Sequence, residues 1–247
     1  MTPEPHATVR TGEMFGPETA VEWDAKAETW DRVSSTPAFG RFRDLLLAGD
    51  PPPTGGTLLD LGCGTGLVAL NAVGTWQHVI GLDASGGMLG RLAARADRDG
   101  LAVPDLVQGD MRRIPLPDAS VDLIVSCYAF HHLTDDGKEL TAAEAMRVLR
   151  PGGRLAVVDM MFRLGVGARD RRIIAAKVAA ILRTGPAGVV RLARNAGRVA
   201  AGRWEQPAGL DWWETMLVRR GFVEVEVRAL EQEAGFAAGR RPLGADR

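Results

Sequence analysis

Leu58-Leu59-Asp60-Leu61-Gly62-Cys63-Gly64-Thr65-Gly66-Leu67 is the stretch that decides the fold. An apolar run of strand type carries Asp60 near its end, three glycines follow at alternate positions, and a helical pattern begins at Leu67. The pattern predicts a buried strand, a tight turn and a helix N-terminus. Alternate glycines let the backbone approach a ligand where side chains would block it. The free N–H groups at a helix start favour electron-rich or negative groups. The dinucleotide fingerprint places its third glycine one position later, and Leu67 stands there.

Working outward, His78 to Leu82 predicts a second strand ending at Asp83, and Leu106 to Met111 a third ending in Asp110. Val121 to Cys127 predicts a fourth and Arg154 to Asp159 a fifth. In doubly wound sheets ligands bind at the carboxyl ends of strands, near the switch point. Asp60, Asp83 and Asp110 are then three carboxylates beside one glycine turn. A carboxylate at Asp83 can accept both hydroxyls of a ribose, and such charge-assisted bonds are worth about 1.5–3 kcal/mol. The plainer reading of Asp83-Ala84-Ser85 is a helix cap. Further helices are expected at Ala38–Ala48, Leu67–Gly74, Leu140–Arg150 and Trp212–Arg220, the last capped by Asp211. Phe222 to Leu230 and Ala234 to Pro242 predict the final two strands.

The Asp60 glycine motif, the passage from Gly109 to Val125 and Arg147-Val148-Leu149-Arg150-Pro151-Gly152-Gly153 resemble the class I S-adenosylmethionine-dependent methyltransferases of the small-molecule type, methyltransferase type 11/25-like. The resemblance spans about residues 15–242 and implies an α/β fold: a Rossmann-like, seven-stranded, mostly parallel sheet with an antiparallel last strand and helices on both faces. It implies S-adenosyl-L-methionine as cofactor, held by Trp30, Asp60, Gly62, Cys63, Gly64, Gly66, Asp83, Ala84, Met88, Asp110, Met111, Cys127 and His132. In the family the position of Asp110 meets the adenine amino group and the next backbone N–H a ring nitrogen. The position of Met88 packs on adenine or ribose, and an aromatic-Asp pair like Trp30-Asp31 lies near the methionine end.

The loop Ser126-Cys127-Tyr128-Ala129-Phe130-His131-His132-Leu133 lines the transferred methyl in the family. His131 and His132 are the candidate catalytic residues, because an imidazole with a pKa near 6.5 can act as a general base. The alternative is that either histidine only shapes the loop. The loop lacks the Asn-Pro-Pro-aromatic motif of DNA and protein methyltransferases, which points to a small-molecule acceptor. No metal-ligand cluster is evident, although Asp159 and nearby acids leave a catechol-type site open.

Five segments are expected: a flexible N-terminus at 1–14, a helical cap at 15–50, a cofactor-binding core at 55–162, a helical lid insertion at 163–205 and a C-terminal helix and strand pair at 206–247. Residues 163–203 hold ten Arg or Lys and a single acid, Asp170. They read either as a basic lid for an acidic or lipid-associated substrate, as a membrane-surface contact, or as a solvated arginine face. Trp204, Trp212 and Trp213 either border a substrate pocket or pack the core.

A net charge of −1 gives no global field for nucleic acid or acidic membranes. Cys63 and Cys127 sit at apolar strand ends, and with no signal-peptide core or spanning run the expectation is a reduced, cytoplasmic chain. The oligomeric state stays open, a homodimer included. The expected activity is methyl transfer to an O, N or C atom of a small molecule in specialised metabolism. Its rivals are a protein that uses the same cofactor for a non-methylation reaction, and a nicotinamide-dependent oxidoreductase.

Overall fold

A computed structural model describes residues 23–24, 30–31, 33–49, 52–163, 167–200 and 205–244. The expected flexible N-terminus, most of the first cap helix and Trp204 lie outside the described residues.

Strand β1 (Thr57–Leu61) is buried along its whole length and forms the middle of the sheet. It pairs in parallel with β2 (His78–Asp83) on one side and β4 (Val121–Cys127) on the other. β2 pairs in parallel with β3 (Asp105–Gln108), and β4 with β5 (Leu149–Met160). β7 (Ala234–Arg240) runs antiparallel between β5 and β6 (Val223–Ala229). The order is β3-β2-β1-β4-β5-β7-β6, so the chain reverses direction across the sheet between β1 and β4. That switch point opens a crevice at the carboxyl ends of the strands.

The two-residue alternation of β1 divides the core. Leu58 joins Phe39, Phe42, Leu46, Leu92 and Val125 on one face, while Leu59 and Leu61 join Ile124, Val157, Trp213 and Leu217 on the other. Each such side chain, fully buried, contributes about 1.5–3 kcal/mol. The first face is covered by α1 (Pro37–Leu47) and α3 (Gly86–Asp99); between them in sequence comes the four-residue α2 (Ala69–Ala72). The second face carries α4 (Asp135–Val148) and α7 (Leu210–Arg219). Between β5 and α7 stand α5 (Ala168–Leu182) and α6 (Pro186–Ala200), joined at Gly185.

Several bounds differ from expectation for local reasons. Thr134 accepts the Gly137 N–H at 3.1 Å, so α4 starts at Asp135 rather than Leu140. It ends at Val148, and Leu149 and Arg150 already belong to β5. α2 is shorter than the predicted Leu67–Gly74 helix because the glycine turn consumes the chain up to Val68. β3 stops at Gln108, leaving Asp110 in the following loop. Gly209 is the N-cap of α7; Asp211 lies in the first turn, where its charge meets the positive end of the helix dipole.

Candidate active site

The glycine turn is sewn to β2 by its backbone: Gly62 and Cys63 both donate N–H bonds to the Leu82 carbonyl, at 2.8 and 3.1 Å. Gly62 has φ +66°, and a Cβ there would lie 2.4 Å from the Ala129 methyl. Gly64 has φ +51°, and its Cβ would press on the Trp30 indole nitrogen at 3.1 Å. Gly66 serves a different purpose. Its Cβ would fall 2.8 Å from both Leu70 and Leu92, so its bareness permits core packing rather than ligand approach.

The three aspartates divide. Asp83 lines the cleft; Oδ2 accepts the Gly64 N–H at 2.8 Å and Oδ1 the Ser85 N–H at 2.9 Å. Burial raises its pKa, and those N–H groups offset the rise only in part. Asp60 is 1% exposed and accepts the Ala69 N–H at 3.0 Å, which caps α2. Burial pushes its pKa up to about 7. Asp110 is held outside the cleft lining by Arg112, whose Nε lies 2.9 and 3.0 Å from its two oxygens. The neighbours Gly109 and Met111 line the cleft instead.

The cleft holds about 720 Å³ of empty space, its open mouth included. Of the residues expected from sequence, Trp30, Gly62, Gly64, Asp83, Ala84, Met88, Met111 and His132 line it. Asp60, Cys63, Gly66, Asp110, Cys127 and His131 do not. Cys63 and Cys127 are buried, and burial raises both thiols well above their usual value, so neither is a thiolate at neutral pH. Thr65 Oγ1, in the same turn, is buried without a hydrogen-bond partner among the described residues.

The two histidines stand in separate environments. The 3₁₀ turn Phe130–His132 directs His131 inward. Its Nδ1 lies 2.6 Å from Asp159 Oδ1. Asp159 Oδ2 also accepts the Phe130 N–H at 2.7 Å and the His131 N–H at 3.3 Å, while Oδ1 accepts the Met160 N–H at 2.6 Å. Burial pulls the His131 pKa down, but the Asp159 charge and hydrogen bond outweigh it, and the net shift is upward. His132 faces the cleft, its ring 4.7 Å from Trp23 and 3.9 Å from His131, centroid to centroid.

Sequence reasoning gave Trp23, Tyr128 and Ala129 no individual site role and named Asp159 only in connection with a catechol-type site. Trp23 stands seven residues before Trp30, two helical turns away, and their rings meet edge-on at 6.0 Å. That spacing was the available signal. Tyr128 has φ +57°, costly for a side chain that is not glycine. The bend lays its ring against Phe39 at 4.9 Å and Phe42 at 5.8 Å. Burial drives its phenol far above the usual range, so it is no base at neutral pH. Trp212 is half-buried and Trp213 fully buried; neither lines the cleft.

Asp24 supplies a last link. It accepts the Gly87 N–H at 2.8 Å and the Ser85 hydroxyl, which fastens the segment bearing Trp23 to the start of α3. Arg91 binds Asp31 at 3.1 Å one turn further along.

A glycine turn and a strand-end carboxylate thus stand beside the switch point of a doubly wound sheet, the place where ligands bind in such folds. Residues 58–153 match the family model described as a methyltransferase domain. Over those residues the chain is similar to the class I S-adenosylmethionine-dependent methyltransferases, whose fold it shares. It is 33% identical over 144 residues to an uncharacterized methyltransferase of Geobacillus kaustophilus, covering 58% of this chain and 64% of that protein. It is 36% identical over 138 residues to 27-O-demethylrifamycin SV methyltransferase of Amycolatopsis mediterranei, covering 53% and 49%. The chain thus spans less than two thirds of the length of these relatives. The crystal structure of the cyclase SpnF shares the fold, with a TM-score of 0.65 and 19% identity over 95% of this chain and 100% of that one.

Proposed function

We propose that the protein transfers a methyl group from S-adenosyl-L-methionine to a nucleophile on a small, largely apolar molecule. The observation that carries the reading is the meeting of Asp83 with the bare Gly62–Gly64 backbone in a cleft walled by Trp23, Trp30 and Tyr128.

The residues present suit that cofactor. Asp83 supplies a carboxylate for ribose hydroxyls, Leu82, Met88 and Met111 an apolar slot for a base, and the glycine turn a surface that no Cβ obstructs. When bound, the cofactor supplies a methyl group on a cationic sulfur with a neutral thioether as leaving group. The protein's work is then placement in a dry site, and well-oriented reactants save about 7–11 kcal/mol of barrier. The aromatic wall excludes water and favours a cationic centre. His132 is the candidate base for an acceptor that must lose a proton. His131, locked to Asp159, positions the turn that carries it. α5 and α6 stand on the acceptor side: α5 buries Ile173 against Met160 and Phe162, the cluster on which Tyr128 also packs.

The malonyl-acyl-carrier-protein O-methyltransferase of Methylococcus capsulatus, 44% identical over 142 residues, and the rifamycin enzyme both methylate oxygen by name. A hydroxyl or carboxyl acceptor is therefore the first class to assay.

The test is calorimetry with S-adenosylhomocysteine on the wild type and Asp83→Ala. Loss of charge-assisted bonds worth about 1.5–3 kcal/mol predicts a Kd weakened about 10- to 150-fold, with circular dichroism unchanged. Equal affinity in both proteins, or preference for NAD, sinks the reading. Turnover without S-adenosylhomocysteine, followed by mass spectrometry, would assign the site to a non-methylation reaction instead.

A further inference from the structure

The helical pair α5–α6 concentrates positive charge in a chain whose net charge is only −1. Residues 163–203 carry ten Arg or Lys against Asp170 alone. Arg171, Arg172, Arg183 and Arg194 are exposed. The same pair exposes an apolar stripe. On α6, Val189, Ala193 and Ala196 recur at the spacing of one helix face, and all three are exposed. Val189 is 57% exposed, Val190 beside it 69%, and Leu182 at the end of α5 45%. An amphipathic helix of a globular domain ordinarily turns such a stripe inward. Among the described residues of the pair, Ile173 is buried in a small cluster with Met160 and Phe162, and Ile174 packs partly against it.

We propose that this face docks on an anionic lipid bilayer, with α6 lying in the headgroup plane and its valines entering the acyl boundary. Interfacial helices combine these two features, an apolar strip that inserts and cations that meet acidic headgroups. A second copy of this chain is disfavoured as the occupant. A two-fold contact would oppose the same patch to itself and bring the exposed Arg171, Arg172, Arg183 and Arg194 of each copy toward those of the other. A nucleic acid would use the arginines but would leave the valines in water. Ile173 anchors the pair on the cluster against which Tyr128 of the cleft wall also packs. The inference goes beyond methyl transfer, because lipid partitioning and cofactor binding are read separately.

The full chain is sedimented with vesicles of phosphatidylglycerol and phosphatidylcholine, mixed about one to two, and with phosphatidylcholine alone. Partitioning should favour the anionic vesicles by about tenfold or more and weaken by about tenfold between about 0.1 and 0.5 M salt. Val189→Asp with Val190→Asp should lower it by about tenfold or more at unchanged S-adenosylhomocysteine affinity. If that pair fails to fold by circular dichroism, Arg183→Glu with Arg194→Glu tests the same helical pair through its charge. Equal binding to both vesicle types, or binding that neither variant reduces, overturns the proposal. So does a dimer, seen by light scattering, that the valine pair dissociates while no lipid is bound.

Discussion

Replacing Asp159 with Ala withdraws one carboxylate from four donors: the Phe130, His131 and Met160 N–H groups and the His131 ring. The carboxylate is 1% exposed and the imidazole 5%, so water cannot substitute for either. Removing one partner of a buried ion pair costs about 3–5 kcal/mol. For a chain of this size about 2–4 °C of Tm corresponds to each kcal/mol, so Tm should fall by about 6–20 °C. The pH dependence is more diagnostic than the size. In the wild type burial lowers the His131 pKa, Asp159 raises it further than that, and the folded value ends above the unfolded one. Such a group contributes stability fully below the unfolded pKa of about 6.5 and loses it as pH rises through the folded pKa. In Asp159→Ala burial remains the largest influence and lowers the pKa, while the smaller effects of Glu205 and Lys138 oppose each other. The variant should then lose stability as pH falls, where the wild type gains it. The Tm gap between the two proteins should therefore widen from about pH 8.5 to about pH 5.5. Circular dichroism melts at the two pH values measure it. A gap that stays constant or narrows toward acid would refute the ion-pair reasoning, whatever the size of the loss.

Two further outcomes follow from the site. Asp60 has its folded pKa raised to about 7 by burial, so its contribution to stability is complete below the unfolded value and declines as pH rises through about 7. Asp60→Asn keeps an acceptor for Ala69 without a charge; relative to the wild type it should gain stability between about pH 5 and pH 8, read by denaturant titration, and a relative loss would contradict the assignment. His132→Ala should lower kcat by about 10²–10⁴-fold if the acceptor must be deprotonated, and by little otherwise. A wild-type pH–rate profile that is flat across neutrality rules out the base.

The strands nearest the site were legible because their burial is local information. β1, β2 and β4 are apolar runs bounded by glycine or polar turns, and their observed ends lie within a residue of expectation. The placement of β7 between β5 and β6 was not legible from chain order, because it depends on pairings between residues about 80 positions apart in sequence, such as Val157 with Ala237. Its small residues are intelligible only in place: a Cβ on Gly235 would lie 2.6 Å from Met161, and one on Gly239 2.9 Å from Phe222. The helix bounds missed at Thr134 and Gly209 turned on which residue the backbone chose as its cap, a choice that neighbours a residue or two away can shift.

The candidate site was half legible for a related reason. Residue type marks what a side chain can do, and environment decides whether it does it there. Asp60, Asp83 and Asp110 look equivalent in sequence, each an aspartate at or after a strand. The fold sends the first inward to hold α2, gives the third to Arg112, and leaves the second alone among them on the cleft. His131 and His132 are adjacent in sequence, yet the 3₁₀ turn buries one against a partner 28 residues away and turns the other to the cleft. Asp159 carried no mark in its own neighbourhood beyond an acid at the end of an apolar strand. An acid in that setting is costly unless several donors meet it. The four donors around Asp159 are an arrangement of three separate backbone positions and one ring, and only the folded chain assembles them. The acid least marked in sequence thus ties down the 3₁₀ turn that carries the cleft-facing imidazole.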